Sequence, residues 1–376
     1  MLIKFLNLKQ NMLRLHVMNS IEGLGWSLIG IFIPIYFLKL GFSLPQVFVY
    51  YIIQNSVICL GAFLVIFLEK FISIKKIFII RFPILLLFLG ILYYLQDINF
   101  PLYILAFIDG LQAAFYFIPL HVLFSGFAQE RKLGRETGKL LAIPQVVAMF
   151  GPLIGGLIIL NSNFKVLYLT AIILFAIDFI PILYTQIPGI KYEFKFGEGI
   201  NLYKKYRKFF KAEIFSNIGE EIEGVIWPIF VYVSLINVAS VGMIGTLLAL
   251  SSAFFTFAIG KLSDKKDKSS MMRYSVVFIA MVWVFRFIFD NEPAFYILTF
   301  FSGIFYVVFS VPYYSFFYRI SQKEKATVFF AFREIPVAIA RVIVFSLAIV
   351  FAANLKILFL VAGGAYLYFI FWKKVE

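Results

Sequence analysis

Twelve stretches of this chain are apolar over the roughly 20 residues that an α-helix needs to cross a hydrocarbon layer, and little sequence is left between them. They run from about 14 to 38, 45 to 68, 77 to 96, 100 to 124, 140 to 160, 166 to 187, 210 to 235, 239 to 260, 272 to 289, 294 to 318, 327 to 351 and 354 to 372. Inside lipid a backbone must satisfy its own hydrogen bonds, which only helices and closed barrels achieve, and stretches of this length select helices. The expected fold is therefore an all-α polytopic membrane protein with twelve transmembrane helices. Composition agrees: 14% of residues are charged and 62% hydrophobic, where a soluble chain carries about 25% charged residues.

The net charge of +14 does not point to nucleic acid, because it is not gathered with stacking aromatics on a soluble face. It lies at the ends of the apolar stretches. Counted within about a turn of those ends, 28 of the 34 Lys and Arg residues fall on one side, Lys39, Lys165 and Lys356 fall on the other, and Arg286, Arg333 and Arg341 lie within spans. Positive loops stay in the cytoplasm, so both termini are expected inside and the protein in the cytoplasmic membrane. The first apolar stretch has a basic flank like a signal peptide, yet it is too long, contains Glu22 and has no small-residue cleavage site; it reads as the first span. Cys59 stands alone and can form neither an intrachain disulfide nor a metal cluster.

The one long connection, about 187–209, carries Lys204, Lys205, Arg207 and Lys208 and falls near the middle of the chain. It divides the sequence into residues 1–187, a basic cytoplasmic linker at 188–209, and residues 210–376. Shifting the sequence by about 193 residues aligns the two parts in order. Tyr103-Ile104-Leu105 with Gly110 and Pro119 becomes Tyr296-Ile297-Leu298 with Gly303 and Pro312, Ile143-Pro144 becomes Ile335-Pro336, Pro34 becomes Pro228, and Ala62-Phe63 with Lys70 and Lys75 becomes Ala253-Phe254 with Lys261 and Lys266. Six helices per repeat insert in the same orientation, giving two parallel repeats related by an axis along the membrane normal. At this level the sequence resembles the major facilitator superfamily of secondary transporters over essentially its whole length. The resemblance implies a cavity between the halves and alternating access by rocking.

Two local motifs carry the same resemblance. Gly260-Lys261-Leu262-Ser263-Asp264-Lys265-Lys266-Asp267-Lys268, after span 8, is similar to the superfamily's G-x-L-a-D-r-x-G-r loop, although Asp267 replaces its second glycine and the equivalent loop Glu69-Lys70-Phe71-Ile72-Ser73 has lost both glycine and aspartate. The resemblance implies that Gly260, Asp264 and Lys265 act in gating, with Asp264 docking at a helix N-terminus, where the dipole favours negative charge; the alternative is a solvated basic loop. In span 5, Gly151-Pro152-Leu153-Ile154-Gly155-Gly156 resembles the G-P-x-x-G-G of superfamily antiporters, with Val147 where the motif has an upstream glycine and Arg131, Arg135 and Gly138 in the preceding loop. Close helix packing by small residues explains Gly151, Pro152, Gly155 and Gly156 equally well. The basic residue that proton antiporters of the superfamily carry in span 4 is missing.

Ionisable groups within the bilayer cost from about 2.5 to over 10 kcal/mol and normally face protein or a wet cavity. At 100° per residue, Ser216, Asn217, Glu220, Glu223 and Trp227 share a stripe of span 7, and Asn19, Glu22 and Trp26 form a shorter stripe of span 1. These faces are expected to meet across the cavity, so that Glu22, Glu220 and Glu223 attract a cation or exchange protons as a cluster of mutually repelling carboxyls; in the competing reading they pair structurally with Arg333 and Arg341. Glu221 points about 100° away. Asp109 and Gln112 share a face of span 4 toward the outside, with His121 as an interfacial hydrogen-bonding residue nearer the cytoplasm and His16 at the headgroups. Arg341 is a candidate for an anionic substrate group or for neutralising span 7. Arg286 is expected to snorkel or pair with Asp290, and Asp178 to be a packing polar group; both stay outside the expected site.

A membrane enzyme would need a catalytic or metal-ligating cluster at one interface, which two separated histidines and one cysteine do not supply. No cofactor or nucleotide site is implied, since a P-loop is absent. What remains is a secondary transporter of a small molecule, monomeric and coupled to protons, or alternatively a sugar or metabolite uniporter or symporter, or a receptor or scaffold that kept the fold. Acidic cavity residues with Trp26, Trp227, Tyr313 and Tyr314 favour a cationic or amphiphilic substrate.

Overall fold

The computed structural model describes residues 2–127, 133–185, 196–265 and 267–372, with the backbone alone at residues 2–9 and at several positions in 133–141 and 257–265. Every regular element among them is helical: α1 (Leu2–Ile29), α2 (Ile33–Lys39), α3 (Leu44–Glu69), α4 (Ile74–Tyr94), α5 (Leu102–Phe127), α6 (Leu133–Ala148), α7 (Gly151–Asn161), α8 (Phe164–Tyr184), α9 (Phe196–Lys205), α10 (Arg207–Glu221), α11 (Trp227–Leu235), α12 (Val238–Lys265), α13 (Lys268–Ile288), α14 (Glu292–Lys323), α15 (Ala326–Val350) and α16 (Ile357–Leu367). Nine helical stretches among the described residues are long and apolar enough to cross a membrane. The stretches at 210–235, 327–351 and 354–372 are helical as well, but the first two carry several charges and the third contains the 11-residue α16.

Polar residues at the connections start the helices. Ser43 forms a capping box with Gln46 at α3, Asn163 accepts from the Val166 amide at α8, and Asn291 accepts from the Ala294 amide at α14, each satisfying one of the free N–H groups of a first turn. Asp267, which replaces the motif glycine, caps α13 by accepting from the Ser270 amide. Span 7 is interrupted. Between α10 and α11, Ile222–Ile226 form a π-helical turn, and the Trp227 amide donates to the Ile222 carbonyl five residues back. Such wide turns change the direction in which successive side chains point.

The part before residue 186 and the part after residue 195 meet along three main seams: α3 and α5 with α15, α6 and α7 with α12, and α5 and α6 with α14. At the second seam α7 lies between α1 and α12. A Cβ on Gly155 would stand 2.3 Å from the Leu28 carbonyl oxygen, and one on Gly242 would stand 2.7 Å from the Pro152 carbonyl oxygen. The glycines of the Gly-Pro motif therefore serve close packing of α7 on both neighbours, as small residues do between membrane helices. Toward one end of the third seam, His121 Nδ1 lies 2.9 Å from the Tyr318 hydroxyl and the Ser125 and Ser321 hydroxyls lie 3.2 Å apart.

Candidate functional site

Three adjoining cavities lie among these helices, and the buried charges are arranged around them. The first, about 240 Å³, is lined by Glu22, Trp26, Arg81, Asp109, Gln112 and Arg341, among others. Arg81 of α4 is fully buried and grips Glu22 of α1 with both terminal nitrogens, one bond being 2.9 Å. Trp26 Nε1 donates to the same carboxylate at 2.6 Å. Arg81 Nε donates to Gln112 Oε1 at 3.2 Å, and Gln112 Nε2 donates to Asp109 at 2.8 Å. Asp109 accepts further bonds of 2.5 Å each from the Tyr50 hydroxyl and Gln54 Nε2 of α3. The Arg81 guanidinium also stacks 4.3 Å over the Tyr116 ring.

The second cavity, about 320 Å³, has Glu220, Glu223, Gln145, Ser252, Ser302 and Tyr306 in its wall. Glu223 forms a bidentate pair with Arg286 of α13, at 2.7 and 3.0 Å, and accepts from the Ser302 hydroxyl at 2.7 Å. Arg286 lies between the rings of Trp227 and Trp283, 4.1 and 4.5 Å from their centroids, an arrangement that uses cation–π attraction to offset lost hydration. The third cavity, about 220 Å³, shares Glu220 with the second and Tyr116 and Arg341 with the first, and adds Asn19, Asn217, His121 and Tyr314. Asn19 donates to the Leu140 carbonyl at 3.0 Å and accepts from the Tyr116 hydroxyl at 2.9 Å. Asn217 donates to the Glu213 carbonyl at 2.9 Å.

The two remaining arginines also have carboxylate partners. Arg333 meets Glu213 at 2.6 Å and Glu334 at 3.4 Å, and Tyr313 donates to Glu213 at 2.5 Å. Arg341 spans the α3–α15 seam, 2.8 Å from Glu221 of α10 and 2.8 Å from Asn55 of α3. Glu220 is different. It accepts from the Ser216 hydroxyl at 2.9 Å, and no ion pair reaches it among the described residues, because nearby Arg333 and Arg341 are committed to Glu213 and Glu221.

A family model described as Major Facilitator Superfamily matches residues 15–235. The chain belongs to the major facilitator superfamily. No curated protein matches the sequence. Solved transporters share the superfamily fold at low identity: the nucleoside transporter NupG, 14% identical with a TM-score of 0.68 over 96% of this chain and 97% of that one; the human organic anion transporter MFSD10, 10% identical with a TM-score of 0.72 over 97% and 99%; and a bacterial homologue of the iron transporter ferroportin in an outward-facing state, 14% identical with a TM-score of 0.69 over 97% and 97%. Superfamily membership makes the chain a multi-pass membrane transporter rather than an enzyme.

Several expectations for individual residues are corrected. Glu22, Glu220 and Glu223 do not converge into one carboxyl cluster: Glu22 is held by Arg81 in the first cavity and Glu223 by Arg286 in the second. Arg286 neither snorkels nor meets Asp290, which pairs with Lys356 at 2.6 Å. Glu221, about 100° round α10 from Glu220, does not lie outside the site: it faces the first cavity and pairs with Arg341. Trp227 is buried against Arg286 and donates to Thr299 at 3.0 Å, away from the cavity walls. Of the gating motif, the backbone of Gly260, Asp264 and Lys265 continues α12 while their side chains, with Arg131, lie outside the described residues. Arg81, Glu213, Gln54, Asn55 and Gln145 escaped the sequence reading. Arg81 and Glu213 each sit about a turn inside a span, where the chain looks like the end of a basic or polar loop.

Proposed function

We propose that the protein is a secondary transporter with twelve spans in two parallel halves, both termini in the cytoplasm, which moves a cationic or neutral amphiphilic small molecule by alternating access as a monomer and couples that movement to protons. What supports the coupling is an excess of acid among the buried and half-buried charges within the expected spans. Glu22, Asp109, Asp178, Glu213, Glu220, Glu221, Glu223 and Glu334 present eight carboxyl groups to the four guanidinium groups of Arg81, Arg286, Arg333 and Arg341. Uncompensated charge in a low dielectric is costly enough that it is neutralised instead, by a bound cation or by protons. Glu220 is where that demand meets open space, since it borders two cavities without an arginine partner. Tyr306, Tyr366 and Tyr314 border the same cavities as Glu220 and suit an apolar or cationic body.

The test is proton movement in proteoliposomes, followed with a pH-sensitive dye while organic cations, sugars and nucleosides are added to wild type and to Glu220→Gln. Substrate-driven proton flux that falls at least tenfold in the variant supports the reading. Equal flux in both removes Glu220 from the site, and substrate uptake without any proton movement in wild type favours a uniporter of neutral metabolites.

A further inference from the structure

Asp178 of α8 is fully buried, and neither of its carboxyl oxygens has a hydrogen-bond partner among the described residues. Its neighbours define its state. The elements packed on α8 are α1, α4 and α7: α1 presents Glu22, α4 presents Arg81, α7 presents no ionisable residue, and Tyr116 of α5 lies close by. Arg81 turns both terminal nitrogens to Glu22 and its Nε to Gln112, and no hydrogen bond from it reaches Asp178 among the described residues. Glu22 and Asp178 are thus neighbouring acids served by one guanidinium. As two carboxylates they have no hydrogen to share and leave the cluster with one uncompensated negative charge. With one proton on Asp178, its O–H donates to Glu22, and the cluster of Glu22, Asp178 and Arg81 is neutral.

We propose that Asp178 is a proton-binding site, reached from the first cavity through Glu22, and that it carries a proton that the transport cycle exchanges. The inference rests on the proton-coupled reading above and adds a site to it in the N-terminal part of the chain. A proton arriving from cavity water passes by way of Glu22, which lines the cavity and neighbours Asp178, to an Asp178 oxygen. No other bond is made or broken, and the charge of the cluster moves from −1 to 0. Departure of the proton restores the charge, which Arg81 alone cannot balance. An occluded store of this kind needs no opening of its own to solvent, because the acid at the cavity wall relays for it.

Infrared spectroscopy of the full chain in lipid nanodiscs reads the proton without any transport. At neutral pH a protonated-carboxyl carbonyl band that shifts with isotopically labelled aspartate, persists in Glu220→Gln and vanishes in Asp178→Asn is the expected result. Glu22→Gln should weaken or abolish the band, since Arg81 is then left to balance an ionised Asp178, and this outcome can be read even if Asp178→Asn fails to fold. A spectrum with no aspartic acid band, or one untouched by Asp178→Asn, overturns the assignment. In proteoliposomes Asp178→Asn should retain substrate exchange while substrate-driven proton flux falls at least tenfold; unchanged flux overturns the exchange role. Wild type that transports without proton movement defeats the coupled reading instead, while the band still decides the site.

Discussion

The pair between Glu223 and Arg286 gives the sharpest test of how the charges hold this protein together. Arg286 is wholly inaccessible and Glu223 is 15% exposed, so the carboxylate borders the cavity while the guanidinium has no water to fall back on. In Glu223→Gln one amide oxygen replaces two carboxylate oxygens, and the positive charge of Arg286 stays buried. Removing one partner of a buried pair costs about 3–5 kcal/mol; the partial exposure of Glu223 and the surviving cation–π contacts, together about 0.5–2 kcal/mol, place the expected loss near 3 kcal/mol. The double variant Glu223→Gln/Arg286→Met removes both charges and keeps volume, and such replacements are often close to neutral. It should therefore recover most of that loss, a coupling of about 2–3 kcal/mol. Unfolding in mild detergent is followed by tryptophan emission, because Trp227 and Trp283 flank the guanidinium and report its environment directly. A single variant that loses less than about 1 kcal/mol, or a double variant whose loss is the sum of the singles, would refute the claim that the pair is a buried unit.

Two further outcomes follow from packing and from the end of the molecule that carries α9. Gly155→Ala should lower the yield of monodisperse protein in size-exclusion chromatography, with an overpacking cost of about 1–3 kcal/mol, since the new Cβ would meet the Leu28 carbonyl at 2.3 Å; Gly364→Ala, where no atom lies within 4 Å, should behave as wild type. Beyond the spans, Glu324 joins the end of α14 to α9: burial pushes its carboxyl up, but bonds from Lys205 at 2.6 Å and Tyr206 at 2.7 Å more than offset this and hold it below the ordinary glutamate range. A depressed carboxyl contributes stability that is complete above its unfolded value and lost as pH falls through the folded one. Amide exchange across Phe196–Lys205, corrected for intrinsic rates, should therefore be flat above the ordinary range and rise below it, and a profile without that rise excludes Glu324 as the tie.

The all-helical fold was legible because lipid makes one demand of every span, and length with hydropathy answers it. Individual sites were harder because the side-chain stripes assume a regular 3.6-residue helix. That assumption fails in the segment that matters most, since the π turn at Ile222–Ile226 breaks the register between Glu220 and Glu223, which meets Arg286. Partner choice was also hidden. Arg81 reads as one more cation of a basic flank, and only the placement of α4 against α5 and α8, with Glu22 of α1 in reach, shows that it is buried and holds Glu22 and Gln112 together.

What the sequence does contain is the imbalance. Acidic residues outnumber arginines within the spans whatever the pairing, so some acids must lack a cation once every arginine is used. The structure assigns the arginines by geometry, with Glu213 and Glu334 sharing Arg333, and of those eight acids it leaves three without an arginine partner. Asp109 is held by three neutral donors, Asp178 has none, and Glu220 has one hydroxyl and two cavities. An acid satisfied by neutral donors can stay ionised at a fixed position, whereas acids lacking such donors change charge or recruit a cation when the cavity changes its access. The working charges of this transporter are therefore to be sought among the groups its ion pairs leave over.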